Sequence, residues 1–250
     1  MSEDKDMTFW DHLEVLRWSI IRVVIALLVG FLAVFAIMPS IFDSVILSPT
    51  HSDFFFYRWL GGLFDSDFHI DIININVTTP FFTHMKVAFW VALLLLFPYL
   101  LYEVWRFVSP ALYANEKKGV STAFFGVAVL FYLGCAVGYC IVFPLTFRFL
   151  AGYQIGQNIL TQISLDSYMS TFLTIIFIMG LLFEIPVLAW LLSVLGVLTK
   201  STLKQYRRHA VVALLILAAV ITPTGDPFTL AVVFLPIYLL YEFSILIVKN

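Results

Sequence analysis

Residues Ile175–Leu198 read IIFIMGLLFEIPVLAWLLSVLGVL, with a single ionisable side chain, Glu184, and a proline, Pro186, two positions on. A transmembrane helix takes about 20 mostly apolar residues, so this run is long enough to cross a bilayer. A carboxylate near its centre costs roughly 2.5–3.5 kcal/mol on insertion scales. No Lys, Arg or His lies between Arg148 and Lys200, so no neutralising partner is local. Glu184 must be protonated, face a water-filled cavity, or meet a polar group on another helix. Pro186 lacks an N–H and frees the carbonyl of Leu182, a second polar defect at the same depth. Intramembrane ionisable groups are functional by default. The plainer reading is a structural hydrogen-bonding residue inside a bundle.

The rest of the composition agrees with a membrane class. The 250 residues are 62% hydrophobic and 12% charged, with 26 Phe. A soluble domain is about 45–50% apolar and about 25% charged, and no soluble core could absorb the difference. The expected fold is all-α and polytopic. Cys135 and Cys140 point in different directions at a spacing of five on a helix, so a disulfide between them is not expected. The first eighteen residues, MSEDKDMTFWDHLEVLRW, carry no basic n-region, so no removable signal peptide is expected. There is no HExxH, GxSxG or Walker loop, and the histidines show no metal spacing. The reading is a non-enzyme, with no cofactor, metal or nucleic acid.

Six spans are expected in one membrane domain, 1–250: about 19–38, 79–102, 119–143, 168–195, 209–222 and 228–241. Thr8–Arg17 reads as a short interfacial helix, with Thr8 and Asp11 as a capping box. Pro39 is expected to end the first span and Pro144 the third. In the loop 40–77, Phe56, Trp59, Leu60 and Leu63 recur at helical spacing and suit a membrane surface. Gly134 and Gly138 form a small-xxx-small pair for close helix approach. The last two spans have apolar cores of about 14 residues, roughly 21 Å at 1.5 Å per residue, against a bilayer of about 30 Å. Six spans put both termini on one side. That side holds eleven of the fourteen Lys and Arg: Lys5, Arg17, Arg22, Arg106, Lys117, Lys118, Lys200, Lys204, Arg207, Arg208 and Lys249. The positive-inside rule makes it the cytoplasm.

The remaining chemistry is carboxylate. Glu14 and Glu116 lie beside helix ends on the expected cytoplasmic side. Glu184 lies in the membrane, and Asp226 in the turn TPTGDP. Plain readings exist for each: Glu14 pairs with Arg17 at i,i+3, and Glu116 is a solvated charge beside Lys117 and Lys118. The other reading is that they receive guanidinium groups, since carboxylates and Arg form bidentate charge-assisted pairs.

A series of motifs makes that second reading concrete. They run from His12-Leu13-Glu14-Val15-Leu16-Arg17 through Pro49, Pro80-Phe81-Phe82 and Lys86. Tyr102–Tyr113 (YEVWRFVSPALY) and Glu116-Lys117-Lys118 follow. Then come Phe131-Tyr132, Phe143-Pro144, Phe183-Glu184-Ile185-Pro186, Arg207-Arg208, Thr222-Pro223 with Asp226, Pro236, and Tyr241-Glu242. In order and spacing the chain resembles the TatC family, the multispanning receptor subunit of the twin-arginine protein translocase. The resemblance implies a receptor for folded precursors bearing twin-arginine signal peptides. It also implies an export complex driven by the proton-motive force, in a bacterial inner membrane. Glu116 and the N-terminal acid Glu14 would receive the arginines, with Glu103 and Phe107 in the same signal-peptide site. Glu184 would face partner helices, and Thr222 and Asp226 would serve docking. The implied partners are the precursors, TatA/TatB-type single-span subunits, further copies of the chain and the lipid bilayer.

Three positions depart from the family pattern. The family often reads HLxELR where this chain has HLEVLR, so Val15 occupies one acidic position and Glu14 sits 100° away on a helix. Gly225 is an extra residue before Asp226, and Leu230 stands where relatives often place Gln. The alternative function is a proton-coupled small-molecule transporter using Glu184. Transporters usually line the midplane with several polar groups and repeated halves, and this chain offers one acid and no repeat. An intramembrane enzyme would need a second catalytic group facing Glu184, and none is evident.

Overall fold

The computed structural model describes residues 9–59, 70–109, 114–153, 162–194, 196–222 and 225–248, the side chains of 9–12 and 114–123 excepted. The proposed capping box of Thr8 and Asp11, and Leu60 and Leu63, therefore lie outside the described residues. Helix α1 (Phe9–Ile41) runs unbroken for 33 residues, about 50 Å. The expected interfacial helix and first span are thus one element, and Pro39 lies inside it. A proline there leaves the carbonyl four residues back without its donor. That carbonyl is Phe35 O, and His84 Nε2 donates to it at 2.9 Å, with the imidazole stacked on the Phe35 ring at 3.9 Å between centroids. A neighbouring helix has supplied the lost bond. A π-turn (Phe42–Ile46) and a 3-10 turn (Ser48–Thr50) then lead to the short α2 (Phe55–Trp59). Phe56 does not face the membrane surface: it is buried beside Phe54 and Tyr57, while Trp59 is exposed.

The expected second span is bent. Helix α3 (Thr79–Leu95) meets α4 (Phe97–Val108) at 54°. Pro98 sits in the first turn of α4 and cannot bond Leu94 O. Tyr132 donates to that carbonyl at 3.0 Å and to Leu95 O at 3.3 Å. The third span passes its proline as well. Helix α5 (Ala114–Val137) runs through a π-turn (Gly138–Val142) into α6 (Phe143–Gly152). Pro144 falls at the second residue of α6, where no N–H is required, so it is not a stop.

Helix α7 (Leu165–Leu182), capped by Ser164, breaks at Phe183-Glu184 and resumes as α8 (Ile185–Val194). Gly196, at φ 73°, turns the chain in the left-handed conformation that favours glycine. The expected polar connection contains α9 (Lys200–Gln205), capped by Thr199. Helix α10 (Arg207–Ile221) is short at 15 residues. Helix α11 (Pro227–Ile247) is longer than its 14-residue apolar core, at 21 residues. Glu242 does not stop it, because Arg207 pairs with its carboxylate at 2.7 Å and Tyr238 donates to it at 2.9 Å. Among the described residues, the elements besides helices are one parallel pair of two-residue strands, β1 (Ile72–Ile73) and β2 (Ile163–Ser164), in register Ile72 to Ile163.

Among the described residues, four stretches are long and apolar enough to cross a membrane, or five with the bent α3–α4 pair. Helix α5 packs closely on α7, and glycine makes the approach possible. A Cβ on Gly134 would stand 2.5 Å from Met179 O, and one on Gly180 would stand 2.6 Å from Cys135 Sγ. In lipid such small residues drive association by backbone approach and dispersion. The core around this crossing is Phe131, Val142, Phe143, Tyr168, Ile175 and Met179. Ile20, Val24, Ile25, Leu28, Val29 and Leu32 of α1 are each more than half exposed, a lipid-facing surface.

Candidate functional site

The sequence-derived site residues fall in three places. At the first, the early part of α1 meets the end of α4. Glu14 is exposed on α1. Two turns further on, Arg22 turns towards α4. Its Nε donates to Glu103 Oε1 and a terminal nitrogen to Glu103 Oε2, both at 2.9 Å. The same nitrogen donates to Ser19 Oγ at 3.1 Å, and Tyr99 donates to Glu103 Oε1 at 3.2 Å. The Glu103 side chain is 3% exposed and that of Arg22 32%. This is a bidentate fork, the strongest carboxylate–guanidinium geometry. Glu103 therefore does not present an open carboxylate to an incoming arginine: the chain's own Arg22 is already there. Phe107, half-buried, lies one turn beyond Glu103 on the same face. Glu116 lies in the first turn of α5, where an acid complements the helix dipole. Its side chain is outside the described residues.

The second place is the break between α7 and α8. Glu184 is buried, and neither carboxyl oxygen has a hydrogen-bond partner among the described residues. It faces Phe131 and Cys135 of α5. The helix is interrupted at this point, where Pro186 sits in the first turn of α8 and the Glu184 N–H bonds to Leu181 O at 3.1 Å. The glycine crossing just before it brings α5 within reach. An enclosed carboxyl lacking a donor costs about 1–3 kcal/mol, and far more if ionised.

The third place is the turn between α10 and α11. Thr222 is buried and its hydroxyl donates to Ala219 O at 3.4 Å. Asp226 caps α11, accepting from the Thr229 N–H at 2.8 Å. Gly225 adopts φ 59° and supplies the left-handed step into the cap. Leu230 follows, half-buried on α11. Among the described residues no group of three or more His, Cys, Asp or Glu could hold a metal ion. Sequence reasoning missed Arg22, Ser19 and Tyr99 around Glu103. The one local signal was the Tyr99–Glu103 spacing of four on a helix.

Comparison with known proteins follows the same lines. The family model described as Sec-independent protein translocase protein (TatC) matches residues 11–236. The Sec-independent protein translocase protein TatC of Blattabacterium sp. subsp. Periplaneta americana is 34% identical, over 98% of this chain and 96% of that protein. The TatC of Aquifex aeolicus is 31% identical, over 97% and 95%. The crystal structure of a twin-arginine translocase receptor, TatC, in DDM superposes with a TM-score of 0.77 at 31% identity, covering 96% of this chain and all of that one.

Proposed function

The chain belongs to the TatC family of Sec-independent protein translocase proteins, and from that membership we propose that it is the receptor subunit of a twin-arginine translocase. It binds the twin-arginine signal peptides of folded precursors and nucleates an export complex driven by the proton-motive force. What carries the reading is a likeness that runs the length of the chain, in sequence and fold together, to a solved receptor of that name. The side with most of the Lys and Arg is the cytoplasm of a bacterium, and the membrane is its inner membrane. Single-span TatA/TatB-type subunits and further copies of the chain complete the complex.

Glu14 and Glu116 receive the guanidinium groups, with Phe107 as an apolar wall. Glu103 stands behind them, engaged with Arg22. Glu184 is the polar contact for a partner helix, and the α10–α11 turn, shaped by Thr222 and Asp226, is the docking end. The small-molecule transporter reading finds no support, since the relatives are named protein translocases and neither Glu184 oxygen has a hydrogen-bond partner among the described residues. The deciding experiment is site-specific crosslinking of a precursor with an intact Arg pair. Glu116→Gln is expected to lower the yield roughly tenfold or more, the loss of a charged hydrogen bond of about 1.5–3 kcal/mol. Unchanged yield rejects Glu116 as the receiving acid.

A further inference from the structure

Two cavities adjoin between α3 and α7. The inner one, about 320 Å³, is almost wholly apolar and runs in past Leu94, Tyr132 and Ile176. The outer one, about 380 Å³, is bordered by Lys86, Ser170 and Thr174. Trp90, Leu173 and Phe177 line both, so they form the neck of one groove. The Trp90 and Phe177 rings pack edge to face there, 4.4 Å between centroids. At the mouth, Lys86 Nζ lies 3.5 Å from Asp166 Oδ1, and the two side chains are 44% and 67% exposed. The pair is long and open, of the kind that contributes little and exchanges readily.

We propose that this groove holds one phospholipid whose headgroup carries a phosphate and a primary ammonium. One acyl chain fills the inner cavity, the phosphate sits on Lys86, and the ammonium sits on Asp166. Three observations favour this occupant. The groove is apolar at depth and polar only at its rim, in a chain that lives in lipid. Its mouth carries one positive and one negative group side by side, which a zwitterionic aminophospholipid matches charge for charge. A choline headgroup has no N–H to give Asp166, and an anionic headgroup brings it no cation. The two cavities also adjoin at Trp90, Leu173 and Phe177, so one occupant can reach both the apolar lining and the charged rim.

The experiment is native mass spectrometry of the purified full chain after detergent exchange into equal amounts of phosphatidylethanolamine, phosphatidylcholine and phosphatidylglycerol. The expected result is one retained phosphatidylethanolamine, favoured roughly tenfold over the other two, the worth of one charge-assisted hydrogen bond. Lys86→Gln should lower its retention by a similar factor. Asp166→Asn should bring phosphatidylethanolamine level with phosphatidylcholine. Both substitutions are at the exposed mouth, so folding is not at stake. Leu173→Trp, which fills the neck, should abolish retention with the charged pair intact. Equal retention of all three lipids by the wild-type chain, or unchanged selectivity in both mouth variants, overturns the proposal. Retention of an added synthetic apolar helical peptide with no phosphatidylethanolamine overturns it too.

Discussion

Both carboxyl oxygens of Glu103 are taken up by Arg22, Ser19 and Tyr99 as neighbours, whereas both of Glu184 are enclosed without a donor among the described residues. The two acids should respond in opposite ways to substitution. Glu184→Leu removes an unfavourable buried group, so the melting temperature of the purified chain should hold or rise, by the equivalent of about 1–3 kcal/mol at most. On the proposed role of Glu184 as a partner-helix contact, export of a twin-arginine precursor should nevertheless fall. If Glu184→Leu melts much earlier and export merely tracks protein abundance, Glu184 is structural. For Glu103 the expectation reverses. Arg22→Gln leaves a buried carboxylate without its cation and should lower the melting temperature. Adding Glu103→Gln should recover part of that loss, and a double variant no better than Arg22→Gln alone would show that the pair is not the cause. Glu184 was legible in the sequence because one charge in a long apolar run is conspicuous. The occupancy of Glu103 was not, since its partner lies 81 positions away.

At the scale of elements, the local rule makes Pro39 and Pro144 stops and gives no warning of the break at Pro98, because it sees only a missing N–H and a clash. The molecule answers from elsewhere: His84 and Tyr132 lie 49 and 38 positions from the carbonyls they satisfy. Tyr132→Phe should cost about 0.5–1.5 kcal/mol, towards the low end in a membrane. In a Pro98→Ala background the same substitution should cost less, because the Leu94 carbonyl regains its helical donor; denaturation of the four chains in detergent measures the difference. The glycines were legible as a spacing, and their partner helix was not. The geometry now orders them. Gly134→Ala drives a methyl into the Met179 carbonyl, a backbone atom, and should be worst, at the upper end of the roughly 1–3 kcal/mol typical of overpacking or above it. Gly180→Ala meets Cys135 and Phe131 side chains and should be milder. Gly126→Ala, whose methyl would meet only Val187 at 3.8 Å, should be neutral or stabilising by up to about 1 kcal/mol. Equal melting temperatures for Gly134→Ala and Gly126→Ala would contradict the tight crossing.

For the whole molecule, composition and hydropathy made the polytopic all-helical class legible, but the number of crossings turns on α10, which at 15 residues is too short to be recognised by length. Its pairing with α11 supplies what length does not. Arg207 at the start of α10 bonds to Glu242 at 2.7 Å, and Tyr241 donates to Leu203 O at 2.7 Å. One end of the hairpin is thus pinned, while Gly225 and Asp226 close the other. Pro227 to Glu242 is sixteen residues, about 24 Å, and α10 is about 22 Å, so the two arms are matched in height. If α11 crosses the membrane, α10 must cross it beside α11. α10 is shorter than a bilayer core of about 30 Å, so local thinning of the membrane beside it is expected. The expected outcome is six crossings and both termini on the side of Lys200, Lys204, Arg207 and Arg208. Reporter fusions that are active on one side only, placed at the N-terminus and after Asn250, should give the same answer, and a reporter inserted at Gly225 the opposite one. Opposite answers from the two termini would mean that α10 enters and leaves by one face, and the six-span topology would fall.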